Sequence, residues 1–322
     1  MTPRTLLIVL FIIAMISVAV AVSLGSVHLG WRALSDVALN NGTSLQRTLI
    51  LDIRFPRVIA AFTVGGLLAL AGTLMQVLLR NPLADPYILG ISGGAAVATL
   101  TAMLVGLSGT ALSIAAIAGA LLTMTLVFTL SHGRGSWNPT RLLLTGVVIA
   151  SGWAACIGFI LTVSPDTDLK NMLFWLMGDL SFAGNPLPAV IVLTIGLLLS
   201  LGIARDLNIL SRGELQAMAL GISTGTLSLS IYVLASLLTA SAVTLAGSIG
   251  FIGLIVPHLI RLLGITDHRV LLPCSVLLGG TLVVAADTIA RTVLAPQQLP
   301  VGIISALVGV PMFLYLLNRR VQ

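Results

Sequence analysis

The chain is short of charge. Of its 322 residues only 8% are charged, 57% are hydrophobic, and the mean hydropathy is +1.12. A soluble domain carries about 25% charged residues, so this chain cannot cover a water-facing surface of ordinary composition. The composition therefore excludes a soluble globular domain, a disordered chain and a coiled coil. It predicts a protein whose solvent is the lipid bilayer.

Lysine and paired cysteine are nearly absent as well. The only lysine, Lys170, is not part of a Gly-Lys-Ser/Thr sequence, which a phosphate-binding Walker loop needs. The chain is therefore expected to bind no ATP or Mg²⁺ itself. The two cysteines lie in apolar runs and predict no disulfide framework. The histidines lack the paired spacing of metal ligands, so no metal or other cofactor is expected on this chain; they are His28, His132, His258 and His268.

Long uncharged runs are what the sequence has instead. There are eight, and six of them are 17 to 27 residues long, which suits one spanning helix each. The runs at 86–133 and 215–260 are about twice as long, and glycine-rich stretches break them near 106–109 and 246–250. The sequence therefore predicts an all-α polytopic membrane protein with ten transmembrane helices.

The basic residues predict the orientation of these helices. With a cytoplasmic N-terminus, ten arginines fall inside and six basic residues outside, which agrees with the bias of membrane proteins. Both termini are then cytoplasmic. The cations are dispersed along the chain and form no long basic run, so they do not predict a nucleic-acid surface. Arg54 and Arg57 are unusual because they lie together on the less favoured outer side.

The loops leave no room for a second domain. The longest of them have about 25–30 residues, too few for a water-soluble domain of any size. We therefore expect residues 1–322 to form one membrane domain. Any energy source or capture module must be a separate chain.

Small residues recur every four positions along two predicted spans. Such stripes let helix backbones approach closely in lipid, and here they predict tight packing within the chain. The second span is therefore expected to be surrounded by other helices. The stripes are Ala61, Gly65, Ala69 and Thr73, and Ala111, Ala115, Gly119 and Thr123.

Two other function classes need weighing. The sequence Gly90-Ile91-Ser92-Gly93-Gly94 fits the G-x-S-x-G elbow, so Ser92 could serve an intramembrane protease with His258. About 0.2 such matches are expected by chance in this composition, so the pattern is weak, and a tight start to the third span also explains the glycines. A proton-coupled carrier would need ionisable residues within the spans. Only Asp287 approaches one, and an ion pair with Arg291 on the helix surface accounts for it.

Several blocks of the sequence resemble one family of membrane proteins, in order and at its spacing. That family is the membrane permease of ABC importers for iron–siderophore, haem and cobalamin. The blocks are Arg54-Phe55-Pro56-Arg57 with Val64-Gly65-Gly66, Ala71-Gly72 and Gln76; 80–86 (RNPLADP) with Leu89-Gly90; 247–258 (GSIGFIGLIVPH) with Arg261 and Asp267-His268-Arg269; and Ala286-Asp287, Ala290-Arg291, 299–302 (LPVG) and Gly309.

The resemblance implies the type II ABC importer permease fold, with ten helices and two permease subunits around a central path. Two copies of a separate ATPase, which hold ATP and Mg²⁺, would bind the cytoplasmic face, and a periplasmic substrate-binding protein would deliver the cargo. Transport would follow alternating access. The segments 266–273 and 168–178 look closest to cobalamin permeases, whereas iron chelates are the commoner cargo of the family. Iron–siderophore, cobalamin and haem stay open, as does the choice between a homodimer and a pair with a related permease.

Three sets of site residues follow from the resemblance. The inside segment 206–221 matches the coupling helices, with Glu214 suited to a helix start and Gly221 to a helix end. Three arginines at exposed outer rim positions match those that meet acidic residues of the binding protein. Pro139 stands where relatives often have a small hydroxyl residue. The residues are Arg212, Gly213, Glu214, Ala217, Leu220 and Gly221 for coupling; Arg54, Arg57 and Arg291 for docking; and Asn138, Pro139 and Thr140 for the cytoplasmic gate.

Overall fold

A computed structural model describes residues 2–25, 35–37, 39, 41–131 and 138–319, with side chains described up to residue 315. Within these ranges the regular elements are all helical. The helices that carry the fold are α1 (Pro3–Ser23), α2 (Ser44–Leu78), α3 (Ile91–Leu104), α4 (Thr110–Ser131), α5 (Pro139–Val163), α6 (Asp166–Leu176), α7 (Leu187–Gly202), α8 (Ala204–Leu210), α9 (Glu214–Ala219), α10 (Thr224–Ala246), α11 (Ile252–Leu262), α12 (His268–Thr292) and α13 (Val301–Arg319).

Six of these helices, α1, α2, α4, α5, α10 and α12, are long and apolar enough to cross a membrane. Helices α7 and α8 meet at a bend of 62° and together make up a seventh candidate span. Three more helices, α3, α11 and the described part of α13, are apolar but shorter. The all-helical membrane architecture is therefore confirmed, while the count of ten spans stays a prediction.

The two longest uncharged runs are each divided into two helices at the glycine-rich stretches, as predicted from the sequence. Helix α3 ends at Leu104 and α4 begins at Thr110, and Gly106 and Gly109 between them have positive φ. Between α10 and α11 the backbone N–H of Ile249 donates to the Tyr87 hydroxyl at 3.0 Å. Backbone outside a helix must find such partners inside the protein, because lipid offers none.

Helix α2 lies at the centre of the bundle. The membrane-crossing part of this 35-residue helix is 89% buried, against 28% or less for α1, α4 and α5. It packs against α12, α10 and α11. The prediction that the second span is surrounded by other helices is confirmed.

The small-residue stripe of α2 explains how closely it meets α12. A Cβ added to Gly65 would run into the backbone carbonyl of Gly279 on α12. Eight residues further along, the Thr73 hydroxyl donates to Ser275 Oγ at 3.2 Å. Because neighbouring helices gain little from the hydrophobic effect in lipid, such close van der Waals contact is what holds them together. The two helices are antiparallel, and the small residues set their register.

The second stripe works in the same way between α3 and α4. A Cβ on Gly119 would meet the carbonyl of Gly94, and one on Gly94 would lie 2.6 Å from the carbonyl of Gly119. Thr123 is fully buried at this contact, and its hydroxyl donates to its own helix at the Gly119 carbonyl, at 2.9 Å. Both stripes therefore serve packing within the chain, as predicted.

Candidate functional site

Charged residues meet at one end of the α2–α12 pair. We call Arg54, Arg57, Asp179, Asp287 and Arg291 the arginine cluster. Arg57 donates from Nε and Nη2 to Asp287 Oδ1, at 3.1 and 3.0 Å, and its Nη2 lies 4.0 Å from Asp179 Oδ1. Arg291 Nε lies 2.8 Å from Asp287 Oδ2. Asp287 therefore joins an arginine of α2 to an arginine of α12.

Arg54 and Arg291 also hold the end of α1. Arg54 donates from Nη1 to the carbonyls of Val22 and Ser23, at 3.0 and 2.8 Å, and Arg291 donates to the carbonyl of Ala21 at 3.3 Å. The last carbonyls of a helix have no partner within the helix, and they form the negative end of its dipole. Two guanidinium groups satisfy that end in α1, so these arginines fasten α1 to α2 and α12.

The sequence predicted that the three docking arginines occupy exposed rim positions, and the structure shows that two of them are buried. Arg54 is 6% exposed and Arg291 is 5% exposed, because both side chains turn inward to α1. The Asp287–Arg291 pair is likewise buried and does not lie on a helix surface as predicted, since Asp287 is fully enclosed. The sequence showed the i, i+4 spacing but could not show which face of α12 is covered. A role of the three arginines in docking stays a prediction.

Arg57 differs from its two neighbours because it borders open space. Its Nη1 donates to Gln298 Oε1 at 2.8 Å, and both side chains line a surface groove of about 640 Å³. Asp52, Pro56 and the loop at 180–186 complete the walls of this groove. We call it the Arg57 groove; it places the most accessible cation of the cluster at a concave surface.

The opposite end of α2 meets the predicted coupling segment, residues 206–221. Helix α9 begins at Glu214, as expected, and ends beside Gly221, which takes the left-handed conformation with φ +80°. Ala217 is fully buried, whereas Leu215 is 79% exposed and Leu220 is 68% exposed. Ala217 therefore fastens the helix to the bundle, and the leucines point away from it.

Three polar contacts that sequence reasoning missed tie this segment to the bundle. The Arg80 guanidinium, just beyond the end of α2, forms an ion pair with Glu214. Asn208 on α8 donates to Asp267 Oδ1 at 2.8 Å and accepts the backbone N–H of His268 at 2.9 Å. Polar residues at span ends were the available signal, but their partners lie 59 to 134 residues away.

The three gate residues begin helix α5. Asn138 is the N-cap: its Oδ1 accepts the backbone N–H groups of Thr140 and Arg141, at 3.0 and 3.2 Å. Pro139 occupies the first turn, where a missing N–H costs nothing. The gate segment that the resemblance implies runs from 136 to 141, and of these residues 136–137 lie outside the described ranges. These contacts show how α5 starts, and gating stays a prediction.

The glycines around Ser92 have structural reasons. Gly90 takes φ +71° between a short 3₁₀ turn and α3, a conformation that favours glycine. Gly94 is the α4 contact described above, and a Cβ on Gly93 would lie 2.8 Å from Trp153 Cβ. The elbow pattern is therefore explained by packing, without a nucleophile. Within the described ranges no three His, Cys, Asp or Glu side chains come together as a metal site.

Comparison with known proteins agrees with this architecture. The model of the FecCD transport family matches residues 8–319. The hemin transport system permease protein of Yersinia pestis is 39% identical, covering 99% of this chain and 96% of that protein. The cobalamin import system permease protein of Halobacterium salinarum is 41% identical, covering 85% of this chain and 74% of that protein.

A solved structure extends the likeness to three dimensions. It is a metal-chelate type ABC transporter in an inward-facing conformation, with a TM-score of 0.85 and 30% identity over 98% of this chain and 99% of that chain. Relatives of this kind are transport permeases, which leaves the protease and the proton-coupled carrier without support. From its sequence, its fold and these likenesses, the chain belongs to the FecCD transport family of ABC importer permeases.

Proposed function

We propose that this chain carries a metal chelate across the inner membrane by alternating access, driven by a separate ATPase. Family membership supports import, and relatives named for hemin, cobalamin and metal chelates support the cargo class. Iron–siderophore and cobalamin are the two cargoes we propose first, with hemin third. ATP and Mg²⁺ bind to the separate ATPase, because the only lysine of this chain lies outside any Walker sequence.

One observation carries the ATPase contact. Helix α9 presents Leu215 and Met218 to the surface at the end of the bundle, and Leu220, its C-cap residue, is exposed beside them. Beside them Arg80, Arg212 and Glu214 line a groove of about 390 Å³. An apolar ridge next to charged walls is typical of a protein–protein contact, in which apolar residues form the core and polar residues the rim. We propose that two ATPase copies bind here, one on each permease subunit.

A matched pair of variants tests this contact. Leu220→Glu should abolish ATPase association, because the carboxylate would be buried in the contact without a partner. Leu45→Glu is the control, since Leu45 is equally exposed, at 68%, but lies at the opposite end of α2. The measurement is co-purification of the ATPase with each inserted permease. Wild-type association of Leu220→Glu would contradict the assignment. Ala217 is unsuited to this test because a charge there would disrupt α9 itself.

The arginine cluster is proposed as the docking site of the binding protein. Arg57 would meet an acidic side chain in the Arg57 groove, since a guanidinium grips a carboxylate with two parallel hydrogen bonds. Arg54 and Arg291 would act by holding α1, α2 and α12 in place behind it. Arg57→Gln, which removes the charge without placing a third carboxylate beside Asp287 and Asp179, should slow association of the binding protein while leaving ATPase assembly unchanged. Association at the wild-type rate would place the docking surface elsewhere.

The orientation and the gate complete the proposal. The coupling segment would face the cytoplasm and the arginine cluster the periplasm, with the start of α5 closing the path between two permease subunits. Thr140→Cys tests the gate without removing the Asn138 cap, which uses only the backbone of Thr140. We expect cross-linking between the two subunits in at least one nucleotide state. Its absence in every state would remove this segment from the gate.

Uptake assays identify the cargo and the subunit composition. Cells that carry only this permease, with its ATPase and binding protein, would be offered ferric siderophores, cobalamin and hemin separately. Uptake of one of them is the expected result. Uptake with this permease alone would favour a homodimer, whereas a requirement for a related permease would favour a mixed pair. Uptake of a cargo that is not a metal chelate would contradict the proposed class.

A further inference from the structure

We propose that Arg80 and Asn208 are positioning residues that clamp the coupling segment to helices α2 and α12. The segment and this helix pair would then move as one unit, and motion imposed by the ATPase would reach the arginine cluster at the far end. The inference rests on the proposed ATPase contact at α9. It adds the route by which motion is transmitted from that contact to α2 and α12.

The first clamp joins the segment to α2. Arg80 is two residues beyond Leu78, where α2 ends, and it takes a left-handed backbone with φ +49°. This conformation is uncommon outside glycine and turns the chain sharply. The Arg80 guanidinium pairs with Glu214, the first residue of α9. The start of the exposed helix is therefore fastened to the end of the central helix.

The second clamp joins the segment to α12. Asn208 uses both ends of its amide: Nδ2 donates to Asp267, the N-cap of α12, and Oδ1 accepts the backbone N–H of His268. The ring Nδ1 of His268, a buried residue, also lies 2.7 Å from that oxygen. One side chain of α8 thus bonds to both residues at the start of α12. These bonds fix the orientation of α8 relative to α12 as well as the distance between them.

The two clamped helices are themselves fastened along their length. They meet at the Gly65–Gly279 contact and at the Thr73–Ser275 hydrogen bond. At the far end the Arg57–Asp287 pair joins them again. The 24 residues from Phe55 to Leu78 span about 36 Å at 1.5 Å per residue. A packed pair of this length passes on a displacement because close-packed interfaces resist continuous deformation.

The Arg80–Glu214 pair is suited to a test by charge exchange. The side chains of Arg80 and Glu214 are 38% and 26% exposed, so water screens the pair. Each position therefore accepts an acidic or a basic side chain. A pair that only stabilises the fold would change thermal melting slightly and leave the coupling of transport to ATP hydrolysis unchanged. A clamp would change that coupling even in complexes that still hold the ATPase. Because Arg80 and Glu214 also line the groove of the proposed ATPase contact, the coupling is measured only on complexes that retain the ATPase. The ratio of cargo transported to ATP hydrolysed therefore separates the two roles.

The experiment uses the assembled transporter in proteoliposomes. Arg80→Glu and Glu214→Arg should each lower transport per ATP by about two- to thirtyfold, the range of single substitutions on coupling networks. The double exchange should restore most of it. Asn208→Leu, which keeps the size but loses the hydrogen bonds, should lower the ratio as well. Arg205→Glu, an exposed arginine on α8 outside the coupling segment, is the control and should transport normally.

The outcomes are distinct. Normal transport per ATP in Arg80→Glu, or a double exchange no better than the worse single variant, would overturn the first clamp. Normal transport in Asn208→Leu would overturn the second. Retained ATPase binding in Leu220→Glu would overturn the proposed contact at α9, so failure of that contact is recognised separately from failure of either clamp.

A cross-link covers the case in which single variants fail to insert. Cysteines at positions 80 and 214 would be joined by a short bifunctional thiol reagent, with the exposed Cys156 replaced by serine. Before cross-linking this variant lacks the Arg80–Glu214 pair and should show lowered transport per ATP. Cross-linking should raise transport per ATP again, because the proposal requires the joined parts to move together. Loss of transport on cross-linking would show that the segment moves relative to α2, and would overturn the inference.

Discussion

Replacing Asp287 by asparagine is the most direct test of the arginine cluster. The cluster holds three arginines against two aspartates, so it carries one net positive charge, and Asp287→Asn would raise this to two. Asp287 is fully enclosed, and the side chain of Arg291 beside it is 6% exposed. Removing one partner of a buried ion pair costs about 3–5 kcal/mol, because the other charge is left buried without compensation.

The contacts indicate which arginine bears that cost. Arg57 keeps Gln298 at 2.8 Å and Asp179 at 4.0 Å, whereas Arg291 keeps only the Ala21 carbonyl at 3.3 Å among the contacts described above. We therefore expect the loss to lie near the lower figure, about 3 kcal/mol, and to loosen the end of α1. The measurement is thermal melting of the purified permease in detergent, together with proteolysis near residue 25.

Asp179→Asn provides the matched control for this prediction. The substitution is chemically the same, but Asp179 lies 4.0 Å from Arg57, and the asparagine keeps an oxygen for the Ser181 backbone N–H. Its effect should be under about 1 kcal/mol. Adding Arg57→Gln to Asp287→Asn should recover part of the stability by removing excess charge. If Asp287→Asn melts at the same temperature as the wild type or as Asp179→Asn, the cluster is not a buried ion network.

Three further predictions concern packing, capping and pH. Gly65→Ala should destabilise the protein by about 1–3 kcal/mol, because its Cβ meets a carbonyl of α12, whereas Gly152→Ala, which faces open space, should be harmless in the same melting assay. Asn138→Ala should cost about 0.5–2 kcal/mol through loss of the α5 cap, and Asn138→Ser should recover most of it. Hydrogen bonds from a first-turn N–H of α12 and from Asn208 hold the pKa of Asp267 below its usual range. Its contribution to stability should therefore be full above about pH 4 and be lost at lower pH, and Asp267→Asn should remove this step from melting measured across pH.

The membrane architecture follows from the sequence because the bilayer sets local rules. Lipid satisfies no backbone polar group, so uncharged runs of sufficient length must form helices. The same runs place the breaks, since Gly106 and Gly109 can adopt positive φ where other residues resist it. Small residues every four positions predicted the close contacts of α2 and α4, because one helix face can be read from one segment alone. The family blocks added the coupling, docking and gate residues as predictions.

The pairing of side chains from different segments was decided by the tertiary structure alone. Arg57 meets Asp287 across 230 residues, and Arg80 meets Glu214 across 134. Which residues meet depends on the register and rotation of one helix against another, and glycine contacts set these only once both helices are packed. For the same reason the sequence could not show that Arg54 and Arg291 turn inward to α1. Local composition therefore determined the helices and their solvent, and helix packing determined which charges are exposed and which neutralise each other.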